Sequence, residues 1–349
     1  MSDASTEPRE PDVEQQLDTD DALPESTGWR KLLANSTVWI LTILIGIIVV
    51  FTILAPADFA SSTNIRNVAT DASVLLILAV GATYVIITAG IDLSVGSVLV
   101  FAGVVSAKAM NGVGGNGWGV ILVGLVVALA AGLAWGGING ILITFARVPP
   151  FVVTLGTLGM SLGLALIITG GVDERSVPTK LVNDIGVGQL FGQIPWLVVV
   201  AAVVAIVFGV VLGMTRFGRH TYAIGSNPEA AGRAGIDVRL HLIKVYTLAG
   251  VLAGLGGFLN LARFGTTTIS GHATDNLSAI AAVVIGGTSL FGGVGTIAGT
   301  VVGVFIPAVL ANGFVIVGVQ AFWQQVAVGA VLIVAVYLDQ LRRATQLRE

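Results

Sequence analysis

The stretch WLVVVAAVVAIVFGVVLGM, residues 196–214, is nineteen residues long and carries no charge. Because about 20 apolar residues in a helix span the hydrocarbon core of a bilayer, this stretch predicts a transmembrane helix. The uncharged runs of the chain are residues 32–57, 72–91, 93–107, 118–146, 148–172, 185–215, 245–262 and 276–338. They predict an all-α polytopic membrane protein with about ten transmembrane helices. We place these at about 37–56, 72–90, 95–110, 118–143, 150–169, 196–214, 244–262, 277–290, 295–313 and 322–338.

The composition of the whole chain supports a lipid environment. Apolar residues make up 55% of the 349 residues, charged residues make up 11%, and the mean hydropathy is +0.93. Soluble domains carry about 25% charged residues, so this chain cannot cover its apolar surface with charge. The absence of cysteine excludes disulfides and thiolate chemistry, and three histidines leave little material for a metal centre. We therefore expect contact with the bilayer, no metal site, no catalytic residue and no nucleic-acid partner.

The charges are distributed unevenly along the chain. Residues 1–28 hold nine acids and one base, which predicts a disordered acidic tail ahead of a membrane domain at 29–349. With ten crossings both termini lie on one side of the membrane. That side carries twelve of the 17 Lys and Arg residues and the other side carries five. Positive residues concentrate in cytoplasmic loops, so both termini are expected in the cytoplasm.

The loop RFGRHTYAIGSNPEAAGRAGIDVRLHLIK, residues 216–244, predicts one short helix at its centre. Asn227 suits the N-cap, Pro228 the first helical position and Glu229 the positive end of the helix dipole. Ala230 and Ala231 continue the helix, and Gly235 suits the position after its end. Such a segment is either a rigid knob for a cytoplasmic partner or a simple surface helix at the membrane face.

A second polar stretch is GIDLSVGS, residues 90–97. Asp92 or Ser94 could cap the helix that is expected to start at about residue 95. Alternatively, this stretch with Ser97 belongs to a broken-helix site or gate near a substrate path. The spacing alone leaves both interpretations open.

The other polar residues of the predicted spans are uncharged. They include Thr83, Tyr84, Thr88, Ser106, Asn139, Thr154, Thr157, Ser161, Asn260, Thr288, Ser289 and Asn312. Hydroxyl and amide groups suit a neutral polyhydroxyl solute, and they equally suit hydrogen bonds between helices. The lack of acids and bases inside the spans argues against a proton-driven carrier. Glycines at four-residue spacing predict close helix packing at Gly132, Gly136 and Gly140, at Gly250 and Gly254, and at Gly299 and Gly303.

Two sequence patterns that would suggest an enzyme are not supported by the residues around them. Residues 159–163 match the G-x-S-x-G pattern around Ser161, but they lie within an apolar run and not on a strand-to-helix turn. No predicted span contains a histidine to activate that serine. A phosphate-binding loop needs Gly-Lys, and no such pair occurs in the sequence. The chain is therefore not expected to hydrolyse ATP by itself.

Four segments in order resemble the permease subunit of ribose-type ABC importers, the second carbohydrate-uptake group. They are GIDLSVGS (90–97), PPFVVTLGTLG (149–159), RFGRHTYAIGSNPEAAGRAGI (216–236) and AIAAVVIGGTSLFGGVGT (279–296). The resemblance covers roughly residues 36–340. It implies a permease domain in the bacterial plasma membrane that pairs with a second permease subunit, as a homodimer in the leading interpretation. It also implies cytoplasmic ATPase subunits, which bind ATP and Mg²⁺, and an external sugar-binding protein, with no cofactor in this chain.

The resemblance also implies roles for particular residues. Residues 227–235, including Arg233, correspond to the family's coupling helix within a cytoplasmic loop at 216–243. The predicted path or gate comprises Thr83, Tyr84, Asp92, Ser94, Ser97, Asn139, Thr154, Thr157, Thr288 and Ser289. The outer loop at 170–195 is expected to contact the binding protein through Asp173, Glu174, Arg175 and Lys180, or to be a passive linker. A pentose or hexose is the expected substrate. The alternatives are a polyol, inositol or nucleoside, or an autonomous ion-coupled sugar carrier.

Overall fold

The computed structural model describes residues 36–320 apart from 273–274, together with single residues between 323 and 337. The acidic tail at 1–28 lies outside the described residues, and the predicted span at 322–338 lies largely outside them. Both remain predictions.

The described chain is a bundle of helices. In order, the helices are α1 (Ser36–Leu54), α2 (Pro56–Phe59), α3 (Ser62–Ile87), α4 (Val95–Val113), α5 (Trp118–Thr144), α6 (Pro150–Thr169), α7 (Thr179–Leu181), α8 (Trp196–Met214), α9 (Arg216–Ser226), α10 (Pro228–Arg233), α11 (Val238–Phe264), α12 (Asp275–Ile285) and α13 (Ile297–Ile316). A π-helical turn (Val182–Gly186) and two short antiparallel strands, β1 (Gln189–Leu190) and β2 (Ile194–Pro195), lie between α7 and α8. We call the end of the molecule that carries residues 215–237 the inner end, and the end that carries residues 170–195 the outer end.

Seven described helices are long and apolar enough to cross a membrane: α3, α4, α5, α6, α8, α11 and α13. The apolar part of α1, from Ile40 to Leu54, and helix α12 are shorter. The prediction of a helical membrane protein is confirmed. The predicted spans at 150–169 and 196–214 coincide with α6 and α8.

Two helices begin earlier than the predicted spans. Helix α3 begins at Ser62 and not near 72, because the Ser61 hydroxyl accepts a hydrogen bond from the Asn64 amide at 3.1 Å. Helix α11 begins at Val238 and not near 244, because the Asp237 carboxylate accepts from the Leu240 amide at 3.0 Å. Charged residues end an apolar run without ending a helix, so the helices continue past their apolar parts.

Helix α12 corrects the prediction of a full span at 277–290. It has eleven residues and is followed by a turn in which Gly287 has φ 89°. At 1.5 Å per residue it is about 16 Å long, roughly half of a hydrocarbon core of about 30 Å.

Glycines bring the backbones of α5 and α11 together. A Cβ at Gly132 would overlap the Gly250 carbonyl oxygen, and one at Gly254 would overlap the Ala128 carbonyl oxygen. On the other side of the bundle, a Cβ at Gly299 would overlap the Gly286 carbonyl oxygen. The prediction of close packing at these spacings is confirmed, because small residues let helix backbones approach in a bilayer.

Helix α3 lies at the centre of the bundle. Ile77, Val80 and Tyr84 are fully buried on it, and it packs against α8, α11, α12 and α13. Helices α5, α6 and α8 lie at the periphery, because only about a third or less of the residues in their apolar parts are buried. Their outward apolar side chains, such as Ile167 and Ile206, suit contact with lipid.

Candidate functional site

The inner end carries the short helix that the sequence predicted. The Asn227 side-chain oxygen accepts a hydrogen bond from the Ala230 amide at 2.9 Å, and Pro228 occupies the first turn. Gly235 has φ 84°, a left-handed conformation that glycine adopts without strain. The Ile236 amide donates to the Ala231 carbonyl at 3.1 Å, which closes the end of the helix. Both predicted ends of α10 are confirmed.

The outward face of α10 is open. Glu229 and Arg233 are exposed and face each other one turn apart, with 3.7 Å between the carboxylate and the guanidinium. Ala231 is buried against the rest of the molecule. A six-residue helix that is anchored by an alanine and displays charges is suited to contact another surface.

Helix α9 precedes α10 and was missed by the sequence reasoning, which treated residues 216–226 as loop. Thr215 caps it by accepting a hydrogen bond from the Gly218 amide at 3.4 Å. Its buried residues, Gly218, Thr221, Ile224 and Gly225, recur every three to four positions. This helical periodicity, read together with the capping threonine, was the signal that could have identified it.

Helix α9 joins α10 to the centre of the bundle. The Tyr222 hydroxyl donates to the Gly295 carbonyl at 2.7 Å, in the turn between α12 and α13. A Cβ at Gly225 would overlap the Ile87 carbonyl oxygen at the end of α3. The ring of Phe217 lies 5.9 Å from that of Tyr84 on α3. A displacement of α10 would therefore act on the end of α3 and on the turn at 286–296.

The second cluster surrounds the segment between α3 and α4. Asp92 accepts hydrogen bonds from the Ser94 amide at 2.8 Å and from the Ser94 hydroxyl at 2.6 Å. The Ser94 hydroxyl oxygen accepts from the Asn139 amide group at 2.9 Å, and the Asn139 carbonyl oxygen accepts from the Thr157 hydroxyl at 2.7 Å. Asp92 is therefore the residue that holds the chain where α4 begins, while the Ser94 side chain makes no cap.

The other predicted path residues also make internal hydrogen bonds. Ser161 donates to Ser97 at 2.8 Å, and Thr154 donates to the Pro150 carbonyl at 2.9 Å. Ser161 lies in the middle of α6 and is bonded to Ser97 of α4, so the strand-to-helix turn that a serine hydrolase needs is not formed there.

The central helix carries two more of these residues. The hydroxyls of Thr83 and Thr300 are 2.7 Å apart, and the Tyr84 hydroxyl donates to the Phe208 carbonyl at 2.5 Å. Thr288 and Ser289 are buried in the turn after α12, and the Ser289 amide donates to the Val294 carbonyl at 3.0 Å.

Four of these bonds join helices: Thr83 with Thr300, Tyr84 with Phe208, Ser97 with Ser161, and Asn139 with Thr157. Within the single subunit all ten predicted path residues are buried. Their role in a path or gate stays a prediction.

The outer loop is bonded to its neighbours. Asp173 accepts from the Thr267 hydroxyl and from the Ile269 amide, both at 2.9 Å. Glu174 pairs with Lys108, and this charge-assisted hydrogen bond lowers the pKa of Glu174. Arg175 is exposed.

Lys180 belongs to the far part of the same loop. It lies 3.3 Å from Asp184 and stands over the ring of Trp118 at 5.1 Å. The loop is thus an ordered surface, and its contact with a binding protein stays a prediction.

The sequence predicted no histidine in a span and did not identify a partner for His272. His272 Nδ1 and Asp275 Oδ2 are 2.6 Å apart at the start of α12. The pair lies beside the first turn of α4, where a Cβ at Gly96 would be 2.8 Å from the His272 carbonyl oxygen. Within the described residues, no group of three or more His, Cys, Asp or Glu side chains could hold a metal ion.

These features define a multi-pass helical membrane protein with an ordered helical unit displayed at one end. Sequence comparison identifies the family of this protein. The chain belongs to the transport family described as "Branched-chain amino acid transport system / permease component", whose model matches residues 64–336.

Individual relatives are named for sugars. The D-allose transport system permease protein of Escherichia coli (strain K12) is 35% identical, over 90% of this chain and 92% of the relative. The galactose/methyl galactoside import permease protein of Haemophilus influenzae is 33% identical, over 93% and 98%. The ribose import permease protein of Escherichia coli (strain K12) is 36% identical, over 86% and 92%. No solved structure gave a significant match. The resemblance to sugar permeases is confirmed.

Proposed function

We propose that this chain is the transmembrane permease subunit of an ABC importer that moves a sugar into a bacterial cytoplasm. Support comes from relatives named for allose, galactose and ribose that match 86–93% of the chain. The observation that carries the mechanism is the capped helix α10, held against the bundle by α9. A pentose or hexose is the proposed substrate, with polyols, inositols and nucleosides as alternative results of an uptake screen.

In this proposal the chain carries out no chemistry of its own. Partner ATPase subunits bind ATP and Mg²⁺, and α10 lies in a recess of their surface. When the ATPase closes, α10 is displaced, and the Tyr222–Gly295 hydrogen bond and the Gly225–Ile87 contact pass that displacement to α3 and to the turn at 286–296. The permease then alternates between inward and outward openings, driven by its partner.

The proposed arrangement has about ten spans, with both termini and the inner end in the cytoplasm. A second permease subunit completes the path, and an external binding protein docks on the outer loop. Asp173, Glu174 and Lys180 shape that surface through their internal bonds, whereas exposed Arg175 is the side chain most able to reach a partner. The hydroxyl and amide groups around Asn139 and Thr157 match the hydrogen-bonding needs of a sugar.

The test is a tagged pull-down in mild detergent followed by reconstitution. The native chain is compared with a variant in which residues 227–235 are replaced by a Gly/Ser linker. We expect an ATPase to copurify with the native chain only, and ATP-dependent uptake of radiolabelled ribose, allose or galactose to follow the same pattern. Surface labelling verifies that both chains are inserted. Sugar accumulation by the isolated chain under a proton or sodium gradient would refute the proposal.

A further inference from the structure

The start of helix α12 holds a hydrogen-bonded pair of side chains, His272 and Asp275, that is partly exposed. His272 and Asp275 are 2.6 Å apart, and their side chains are 13% and 26% exposed. Asn276, the next residue, is only 6% exposed. Its side-chain nitrogen donates to the Leu93 carbonyl at 3.0 Å, but its oxygen has no hydrogen-bond partner among the described residues. A buried acceptor without a donor is costly, so it indicates a missing ligand or water.

The depth of this pair in the membrane is inferred from the position of the other end of α12. There the turn at 286–296 is bonded to the inner end of the bundle, because the Gly293 amide donates to the Ile87 carbonyl at 2.9 Å. Eleven helical residues extend about 16 Å from that turn. Asp275 therefore lies near the middle of a hydrocarbon core of about 30 Å.

The neighbours of the pair agree with this depth. A Cβ at Gly96, in the first turn of α4, would lie 2.8 Å from the His272 carbonyl oxygen. Leu99, one turn further along α4, meets the same glycine, Gly256, as Val74 and Leu78 in the middle of α3. At the outer end, Thr267 bonds to Asp173, so residues 267–272 descend from the outer surface into the bundle. A small cavity bordered by His272 is lined by the polar side chains of Asn260, Thr267 and Thr268 together with apolar residues of α4 and α11, among them Leu99, Val100 and Leu261.

Ionisable side chains at mid-depth are tolerated where they face water or a solute path. The positive end of α12 stabilises a carboxylate at Asp275. The imidazole, carboxylate and amide belong to residues that all lie against Gly96, and their acceptor atoms match the hydroxyl donors of a sugar. We propose that His272, Asp275 and Asn276 form a hydrated site for sugar hydroxyls halfway across the membrane. This inference rests on the proposed function and extends it to a named position on the path.

The first test measures whether water reaches the site. The native sequence has no cysteine, so Asp275→Cys introduces the sole thiol of this chain, and labelling is measured on this chain after the subunits are separated. In the full transporter, a membrane-impermeant methanethiosulfonate reagent is expected to modify it. Saturating amounts of the sugar that the native transporter imports, among ribose, allose and galactose, should slow this reaction at least about threefold. Asp58→Cys, exposed near the outer surface, should react regardless of sugar, and Ile206→Cys, exposed on apolar α8, should not react.

A lack of reaction at position 275, with normal reaction at position 58, would overturn the proposal. So would a reaction at position 275 that the transported sugar leaves unchanged. Neither outcome bears on whether the chain is an importer subunit.

The second test measures transport. Asp275→Asn and Asn276→Leu are expected to lower sugar uptake at least about tenfold, while ATP hydrolysis stimulated by the loaded binding protein stays within about twofold of the native value. Asp58→Asn is the matched control, since it also neutralises a carboxylate in the first turn of a helix. Unchanged uptake, or an equal fall in uptake and hydrolysis, would contradict a sugar site. Failure of the native complex to import with ATP would instead refute the proposed function, and the accessibility test would still decide whether the site is hydrated.

Discussion

Two adjacent glycines on α5 allow the packing of α5 against α11 to be tested with a matched pair of variants. A Cβ at Gly136 would lie 2.9 Å from Thr247 Cα and 3.1 Å from Gly250 Cα, and it would overlap the Tyr246 carbonyl oxygen. A Cβ at Gly137 would meet nothing closer than the Thr247 hydroxyl at 3.9 Å. Both substitutions to alanine change helix propensity equally, so that effect cancels in the comparison.

The magnitude follows from these distances. Ordinary carbon contacts begin at 3.4 Å, so Gly136→Ala requires α11 to withdraw by at least about 0.5 Å at Thr247 and by more at the Tyr246 carbonyl oxygen. These contacts are with backbone that no rotamer change can move. Overpacking of this kind costs about 1–3 kcal/mol. We therefore expect Gly136→Ala to be less stable than Gly137→Ala by about that amount.

The assay is reversible unfolding of the purified protein in mixed micelles with increasing SDS, followed by tryptophan fluorescence. Trp135, the residue before Gly136, is buried against Phe101 of α4 and contributes to the fluorescence change on unfolding. Equal unfolding midpoints for the two variants would refute the claim that backbone contact holds α5 to α11. A loss of stability in Gly137→Ala alone would show that the glycine face has been assigned to the wrong side of α5.

The remaining predictions concern the inner end and the outer loop. Asn227→Ala removes the cap of α10 at a cost of about 1 kcal/mol, so sugar uptake should fall severalfold. Asn227→Ser retains a capping oxygen and should restore uptake. Normal uptake by the alanine variant would contradict the coupling role. Tyr222→Phe removes the donor to Gly295 and should cost about 0.5–1.5 kcal/mol of stability. We expect ATP hydrolysis to continue with less sugar moved per ATP. An unchanged ratio of sugar to ATP would argue against α9 as the connection between α10 and the bundle. For Glu174 the pKa is lowered in the folded protein, so its pair with Lys108 stabilises above the ordinary glutamate range and loses effect as the pH falls below it. Thermal unfolding of the native protein and Glu174→Gln should therefore differ slightly at pH 7, by at most about 1 kcal/mol, and converge in acid; a difference that grows in acid would reverse the assigned sign.

The sequence predicted the parts of the fold that depend on local composition. Uncharged runs located α6 and α8, and the cap at Asn227 with Gly235 located α10. The sequence did not predict the structure correctly where the same composition is compatible with two structures. The apolar residues after Asp275 fit a span and a half-length helix equally well, and only the turn bonded to Ile87 decides between them.

The partners within the candidate site could not be predicted from the sequence. Asn139 bonds to Ser94, which is 45 residues away, and Thr83 to Thr300, which is 217 residues away. No local pattern encodes such a pair, because it arises from the packing of whole helices. The pair of His272 with Asp275 is local, but its depth in the membrane depends on the length of α12, which the sequence left ambiguous.

Helix α11 begins directly after the segment that carries α10, and its glycines meet those of α5 along their length. A contact between two main chains has no rotamers, so neither helix can absorb a small shift of the other. The α5–α11 contact is therefore stiff, and we expect a pull on the inner end of α11 to move α5 with it. The peripheral, lipid-facing wall of the subunit thus follows a pull on α11 without a separate connection of its own.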